Sequence, residues 1–370
     1  MSRPDPAIRC AGMPPLDPAA PALSRFEFWP GWAFYAPIWA AAVMLAVRHR
    51  GIRLPLLANP GFQASGLVGE QKSLIFPQLR GEHSRAIPKW IAVRHTGCSI
   101  EAQTIAIEAA LERRELAFPL VAKPDIGCRG AGVRPVADRA ALRRYLADFP
   151  AGETFILQQM VDVIGEAGVF YVREPGTRRG RIISLTLKYF PHVVGDGQRS
   201  LRELILADPR AGQVAHLYLS RFASDLDAVL PPGDVKRLVF SGSHSKGAIF
   251  KNGNRWITEA MCERFDAIAD GLDGFHFGRF DVRFADFEAF CAGCDFSIIE
   301  INGAGAESTH IWDSTTGLFE AWRALIAQLQ LLFRIGAINR SRGFQPEGWR
   351  TFVQRWRRER QLRDRYPSTE

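Results

Sequence analysis

Residues 120–133 are of types suited to binding phosphate groups. The apolar beginning of this stretch predicts a short buried strand that ends at Lys123, and Gly127, Gly130 and Gly132 follow in the next loop. Glycines let backbone N–H groups approach phosphate oxygens closely, and a lysine ammonium neutralises their charge. The stretch is neither a Walker A loop nor a dinucleotide-binding fingerprint. Considered alone, it predicts a flexible turn as readily as a phosphate loop.

A second stretch, far along the chain, places oxygen ligands on two neighbouring strands. Alternating apolar residues predict strands over residues 279–284 and 296–301. Asp281 lies on the first, and Glu300 and Asn302 are two residues apart on the second, so they share one face. Such oxygens suit Mg²⁺ or Mn²⁺, which also take phosphate oxygens. The alternative is an edge hairpin with solvent-facing polar positions, and the upstream lysine and glycines favour the metal site.

The elements that must position these residues are helices and strands in an irregular order, without an internal repeat. Ser200 and Glu203 form a capping box that opens a helix. The irregular order predicts an α+β fold rather than a repeated βαβ wind. The other predicted helices are residues 101–116, 138–146 and 317–333, and the other predicted strands are residues 154–158, 169–172 and 182–189.

Together these motifs resemble the ATP-grasp superfamily. Lys123 with its glycines, then Gly278-Arg-Phe-Asp281, then Glu300-Ile-Asn302 occur in that order within about residues 70–335. The resemblance is to the D-alanine–D-alanine ligase and cyanophycin synthetase branches. It implies an α+β ATP-grasp fold, in which two lobes with antiparallel sheets, residues 70–157 and 158–338, clamp ATP. It also implies an ATP-dependent carboxylate–amine ligase that forms an acyl phosphate and releases ADP and phosphate.

The resemblance further implies a set of nucleotide-binding residues. Lys123 would contact the α- and β-phosphates, residues 158–161 would present their backbone to adenine, and Glu166 would bind the ribose hydroxyls. The superfamily often has Glu where this chain has Gln158. The implied set is Lys72, Lys123, Gly127, Gly130, Gly132, Gln158, Gln159, Met160, Val161, Glu166 and Lys188.

For the chemistry, the resemblance implies that Lys123 and Arg279 are catalytic, because Arg279 would stabilise negative charge developing in the transition state. Asp281, Glu300 and Asn302 would hold the magnesium ions. His244 and Lys246 resemble a polar segment near the phosphates in the cyanophycin synthetase branch. They are either substrate or phosphate contacts or solvated loop residues.

Two alternatives to the ligase remain open. One is an ATP-grasp phosphotransferase that acts on a hydroxyl, and the other is a non-catalytic nucleotide-binding, membrane-associated protein. For the ligase, we expect a small-molecule acid and a small-molecule amine as partners and no nucleic acid, since neither zinc-finger spacing nor an aromatic-basic groove is found. The identity of both substrates and the oligomeric state are left undetermined.

The N-terminal region lacks the complete α/β domain that ligases of this superfamily usually carry. Residues 1–27 predict a flexible proline-rich leader, and residues 28–69 an apolar helix and linker. Residues 28–47 contain no charged residue, and the basic residues Arg48-His49-Arg50 follow them. This run predicts a membrane-anchored or interfacial helix, a buried helix or an oligomer contact. We therefore expect a cytoplasmic protein, either free or at the inner face of the membrane.

Composition restricts the remaining choices. The 47% apolar and 23% charged residues exclude wholesale disorder, and the net charge of +8 is moderately basic. Residues 339–370 predict a basic tail, for which a solvated terminal helix is favoured over a lipid- or nucleic-acid-binding segment. Six scattered cysteines indicate free thiols in a reducing compartment. Cys291 and Cys294 predict a hairpin turn rather than a zinc site.

Overall fold

The computed structural model describes residues 12–17, 19–21, 23–127 and 130–369. Cys128 and Arg129, which belong to the predicted phosphate loop, lie outside the described residues, as do residues 1–11 of the predicted leader.

The strands are numbered along the chain: β1 Trp90–Arg94, β2 Leu120–Pro124, β3 Arg134–Val136, β4 Thr154–Gln159, β5 Gly165–Val172, β6 Arg181–Tyr189, β7 His192–Val194, β8 Val235–Arg237, β9 Ile249–Asn252, β10 Phe277–Phe284 and β11 Phe296–Asn302. The helices are α1 Gly31–Arg48, α2 Lys72–Ile75, α3 Ile100–Arg113, α4 Arg139–Asp148, α5 Leu201–Ala207, α6 Ala215–Leu219, α7 Glu259–Asp270, α8 Phe287–Cys291, α9 Leu318–Ser341 and α10 Trp349–Arg365.

Within the described residues, one antiparallel sheet has the strand order β1-β4-β2-β3. Helices α3 and α4 cover it, and their apolar faces pack into a core that includes Leu111, Leu142 and Phe155. Every residue of β2 is buried. Val121 on β2 is opposite Gln158 on β4, so Lys123 and Gln158 lie on the same face of the sheet. The first sheet thus presents a lysine and an amide together.

A second antiparallel sheet, again within the described residues, has the order β11-β10-β5-β6-β9. Its core is rich in phenylalanine. Asp281 pairs with Glu300 and Arg279 pairs with Asn302, so the four side chains lie on one face of two adjacent strands. A bulge follows the Asp281 pair and leaves Ile299 without a cross-strand partner in the ladder. The predicted α+β fold with two antiparallel-sheet lobes is therefore confirmed.

Three further parts complete the fold. The small β7–β8 ribbon and helices α5 and α6 have a core of their own. The predicted capping box is present, since Ser200 and Glu203 each accept a backbone hydrogen bond from the other. Helix α1 packs against α9, and the apolar N-terminal helix is thus confirmed. Helix α9 begins one residue after the predicted start and extends eight residues further, to Ser341.

The predicted hairpin turn at Cys291 and Cys294 is wrong. Cys291 ends the short helix α8, which Asp286 caps by accepting a hydrogen bond from the N–H of Ala289 at 2.7 Å. Phe287 and Phe290 lie three residues apart and pack towards the core of the second sheet. The Asp cap and this helical spacing outweigh the Ala-Gly turn signal.

Candidate active site

The two sheets border a cleft of about 930 Å³. Gly132 and Met160 are the two predicted site residues that do not line it. Gly132 packs on Pro124 instead, where an added Cβ would come within 2.7 Å of the proline ring. The predicted residues that line the cleft are Lys72, Lys123, Gly127, Gly130, Gln158, Gln159, Val161, Glu166, Lys188, Arg279, Asp281, Glu300 and Asn302.

Lys123 is buried in the wall formed by the first sheet. Its ammonium donates to Gln158 Oε1 at 2.7 Å and to the carbonyl oxygen of Ile299 at 3.1 Å. The β-bulge makes this second contact available, because it leaves Ile299 out of the strand pairing. Burial, with smaller contributions from Lys72 and Arg283, lowers the pKa of Lys123 to about 8, although Glu300 opposes the shift. Lys123 is therefore a buried cation whose hydrogen-bond acceptors are neutral.

Lys72 has the opposite electrostatic environment. Its ammonium lies 3.0 Å from Glu300 Oε1. Burial alone would lower the pKa of Lys72, but Glu300, together with Asp125 and Glu70, outweighs burial and raises it. A Cβ added to Gly127 would fall 2.6 Å from Lys72 Nζ, so the glycine lets the loop backbone pass directly over this ion pair.

Asp281 lies between two cations on the second sheet. Lys188 Nζ donates to Asp281 Oδ1 at 2.9 Å, and Arg279 Nε donates to the same oxygen at 3.0 Å. Burial would raise the pKa of Asp281, but Arg279 and Lys188 lower it to about 2. Lys188 also contacts Glu166 at 3.3 Å, and Arg283 contacts the other Glu166 oxygen at 3.1 Å. Asp281 is therefore held in the ionised form.

The donor set fits a divalent cation bound together with phosphates. Asn302 Nδ2 donates to Asp281 Oδ2 at 3.3 Å, so the amide and this carboxylate are already adjacent. The part of the chain that the structure describes contains no cluster of three or more His, Cys, Asp or Glu side chains placed to hold a metal. Magnesium does not require one, because it usually takes one or two carboxylates and completes its shell with phosphate and water oxygens.

Gln158 provides a further indication of a polar ligand. Its Oε1 accepts from Lys123, whereas its buried Nε2 has no hydrogen-bond partner among the described residues. A buried amide N–H without a partner is costly, so a ligand with a hydrogen-bond acceptor would be favoured at this wall of the cleft. The position lies at the end of β4, where the sequence resemblance places the adenine-binding segment.

The sequence did not identify several cleft residues. Arg283 lies two residues after Asp281, and strand alternation could have placed both on one face. Burial raises the pKa of Glu70 to about 8, and Glu300 contributes to this rise, whereas the N–H of Gly303 opposes it by hydrogen bonding the carboxylate. Tyr35 on α1 donates to Glu307 Oε2 at 2.7 Å. No local sequence signal could have indicated the contact between Tyr35 and Glu307, which are 272 positions apart.

The C-terminal segment contacts the glycine loop. Tyr366 donates its hydroxyl to the carbonyl oxygen of Ile126 at 2.9 Å, and Thr369 Oγ1 donates to that of Gly130 at 2.7 Å. Both acceptors belong to the loop after Lys123, on either side of Cys128 and Arg129. The end of the chain therefore fixes the backbone of the predicted phosphate loop.

His244 and Lys246, which the sequence leaves as either substrate or phosphate contacts or solvated loop residues, lie in different places. His244 lines the cleft, where its Nε2 is 3.0 Å from Glu27 Oε1. Glu27 is also paired with Arg210 at 2.8 Å, so this corner of the cleft already contains a compensated ion pair. Lys246 is half-buried and does not line the cleft, and burial lowers its pKa.

Comparison with known proteins returns solved structures only. No protein-family model matches the sequence, and no curated protein is significantly similar to it. A bifunctional glutathione synthetase from Pasteurella multocida is 17% identical with a TM-score of 0.36, over 72% of this chain and 37% of that one. This chain thus spans just over a third of that structure's length.

Two further structures cover similar shares of both chains. A D-cycloserine synthetase is 15% identical with a TM-score of 0.37, over 70% of each chain. A D-alanine–D-alanine ligase from Bacillus anthracis is 13% identical with a TM-score of 0.38, over 74% of this chain and 69% of that one. The last is a member of one branch that the sequence motifs resemble. All three TM-scores are below 0.5, so these likenesses say nothing about which reaction the cleft performs.

Proposed function

We propose that the protein is an ATP-dependent carboxylate–amine ligase that binds ATP and Mg²⁺ in the cleft between the two sheets. The observation that supports this most directly is the distribution of charge. A buried lysine with neutral hydrogen-bond acceptors, Lys123, lies on one wall, and the ionised carboxylates Asp281 and Glu300 lie on the other. A triphosphate with its cation has the complementary arrangement, with anionic oxygens for the lysine and a metal for the carboxylates.

Asp281, Glu300 and Asn302 would hold the magnesium ion, which supplies charge neutralisation at the transferred phosphoryl group. Lys123 would bind phosphate oxygens, and Arg279 would stabilise the negative charge that develops during transfer. Arg279 is fixed for this role, because its guanidinium donates to Asp281 and to the carbonyl oxygen of Glu307 at 3.2 Å. Fixed donors of this kind are worth about 10²–10³ in rate each.

The proposed reaction has two steps. A carboxylate oxygen of the acid attacks the γ-phosphorus of ATP, the bond to the bridging oxygen breaks, and ADP leaves. The amine nitrogen then attacks the carbonyl carbon of the acyl phosphate, phosphate leaves, and the nitrogen loses a proton. No serine or cysteine nucleophile is needed, since the acyl phosphate is already the activated species.

The test is ADP release measured over a matrix of amino acids and small carboxylic acids, with products identified by mass spectrometry. Hydroxylamine added with the acid alone should yield a hydroxamate, because it captures an acyl phosphate. A phosphorylated hydroxyl product without hydroxamate would instead identify a phosphotransferase. No ATP turnover on any pair, together with measurable ATP binding, would indicate a non-catalytic nucleotide-binding protein.

A matched pair of variants controls this experiment. Arg279→Lys keeps the charge but loses the planar fork that joins Asp281 to the Glu307 carbonyl, so we expect turnover to fall by about 10²-fold. Arg173→Lys makes the same change at an arginine paired with Asp270 outside the cleft, and turnover should be unchanged. Equal losses in both variants would contradict the proposed role of Arg279.

The cytoplasmic location and the absence of a nucleic-acid partner stay predictions.

A further inference from the structure

Helix α1 has two apolar faces with different surroundings. Phe34, Ile38, Ala41 and Leu45 form its inner face and are buried. Its outer face, by which we mean the following five side chains, is more than half exposed: Trp32, Trp39, Val43, Met44 and Val47. A soluble helix normally covers its apolar stripe and turns polar residues to solvent. The outer face of α1 therefore indicates an apolar or interfacial contact.

Exposed apolar side chains also lie on α9, the helix against which α1 packs. Phe319 is 76% exposed and contacts the Trp322 ring edge-on, with 5.6 Å between the centroids. A groove of about 470 Å³ runs along this helix beside the two rings. Exposed apolar side chains that are grouped together often mark protein or membrane contacts.

The charge around the outer face is positive. Between residues 25 and 53 the one acidic residue is Glu27, whose side chain is buried against Arg210 and His244. Arg25, Arg48 and Arg50, by contrast, are exposed. On α9, the exposed Glu320 and Arg323 offset each other. An apolar face rich in tryptophan with an arginine rim complements an anionic lipid surface, in which the rings lie at headgroup depth and the arginines meet lipid phosphates.

Helix α1 is held to the domain in a way that opposes crossing a bilayer. By length and composition alone it qualifies as a membrane span. However, Tyr35 donates to Glu307 at 2.7 Å, and Trp322 Nε1 donates to the carbonyl oxygen of Phe34 at 2.9 Å. A spanning α1 would have to break these bonds or draw α9 into the lipid. Its 18 residues also reach only about 27 Å, less than the roughly 30 Å of hydrocarbon.

We propose that α1 lies in the plane of an anionic membrane surface, with its outer face inserted among the lipid headgroups and its inner face retained on the domain. The ligand is the bilayer surface itself, recognised through tryptophan insertion and arginine–phosphate contacts. Phe28 and Tyr35, which belong to the same segment, line the cleft, so the segment that would contact the lipid also borders the cleft. The inference does not depend on which reaction the cleft performs.

Flotation of the full-length protein with lipid vesicles tests this proposal. We expect about tenfold or stronger binding to vesicles of equal parts phosphatidylglycerol and phosphatidylcholine than to phosphatidylcholine alone, because several exposed arginines are attracted to an anionic surface. Trp32→Glu should reduce binding to the anionic vesicles at least tenfold, since a charge replaces an inserted ring. Its thermal unfolding midpoint should stay unchanged because the position is exposed.

Ile105→Glu is the matched control. Ile105 is an apolar side chain more than half exposed on α3, on the first sheet, and its replacement should leave vesicle binding unchanged. Equal weakening by both variants, or no binding to either kind of vesicle, overturns the proposal. Retention in vesicles after alkaline carbonate washing would overturn the in-plane arrangement, because it indicates a span. A dimer in sedimentation equilibrium that Trp32→Glu converts to a monomer, without lipid binding, would assign the face to a second copy instead.

Discussion

Lys123 and Lys72 border the same cleft, are both buried and differ in their partners. Lys123, on the first sheet, donates to a neutral amide and a carbonyl, and its pKa is lowered to about 8. Lys72 is paired with Glu300 of the second sheet, and its pKa is raised. A buried cation without a carboxylate is destabilising unless a ligand brings the negative charge. The wall of the cleft that contains Lys123 is therefore suited to binding phosphate. The ion pair with Lys72, by contrast, keeps the carboxylate of Glu300, a candidate metal ligand, ionised.

Replacing Lys123 tests the first half of this comparison. Lys123→Met should lower turnover by about 10²–10³, because the phosphates lose a fixed cation. The same change should raise the free energy of unfolding of the nucleotide-free protein by up to about 3 kcal/mol, since a pKa lowered from 10.5 to about 8 reflects an unfavourably buried charge. ADP release and urea unfolding measure the two effects. A variant that loses both activity and stability would show that Lys123 is mainly structural.

Replacing Glu300 should give the opposite sign in stability. Glu300→Gln should lower turnover by about 10²-fold, because the magnesium site loses a carboxylate. It should also lower the free energy of unfolding by about 1–3 kcal/mol, since the buried ammonium of Lys72 then lacks its counter-ion, and partial exposure of Glu300 limits the loss. Urea unfolding of Lys123→Met and Glu300→Gln side by side gives the comparison directly. Stabilisation by Glu300→Gln would contradict it.

Much of this site was predictable because its parts are local in sequence. The lysine at the end of an apolar run and the Asp, Glu and Asn at alternating strand positions show their arrangement within a few residues. Asp281 and Glu300 then pair directly, since antiparallel neighbours bring the two motifs together. The α+β class followed from the irregular order of strands and helices.

The contacts that surround the charged residues of the cleft could not be predicted in the same way. The contact of Lys123 with Ile299 depends on a β-bulge, which has no distinctive residue pattern here. The bonds from Tyr366 and Thr369 to the glycine loop join residues more than 200 positions apart. The error at Cys291 had another cause, because the helical signal of Asp286 and two phenylalanines competed with an Ala-Gly turn signal.

The lowered pKa of Lys123 predicts two opposite pH trends. ATP affinity should be greatest below pH 8 and should fall by up to about tenfold per pH unit above it, because the ammonium that binds phosphate loses its proton. Stability of the nucleotide-free protein should rise between pH 8 and about 10.5, because the unfolded chain then binds a proton that the folded chain has released. The charged groups facing Lys123 are Glu300, Lys72, Arg283 and Glu166.

Titration calorimetry and urea unfolding, each repeated over this pH range, measure these trends. Lys123→Met supplies the control, since both of its profiles should lack the contribution of this lysine. Identical profiles in the wild type and the variant would mean that another group is responsible. The comparison between the two lysines would then lose its electrostatic basis.

The smallest predicted effect concerns the C-terminal bonds to the loop after Lys123. Tyr366→Phe and Thr369→Val each remove one hydroxyl that donates to a loop carbonyl, at Ile126 and Gly130 respectively. Each lost bond is worth about 1 kcal/mol, which corresponds to an increase in the KM for ATP of about fivefold if the bond orders the loop for phosphate binding. Maximal turnover at saturating ATP should be nearly unchanged, because no reacting group is altered.

Ser341→Ala is a suitable control, since it removes an exposed hydroxyl that donates to a carbonyl of its own helix and not to the loop. A fall in maximal turnover with an unchanged KM would mean that the C-terminal segment acts in the chemical step and not in nucleotide binding. The wall of the cleft that contains Lys123 would then include the C-terminal segment as well as the first sheet and its glycine loop.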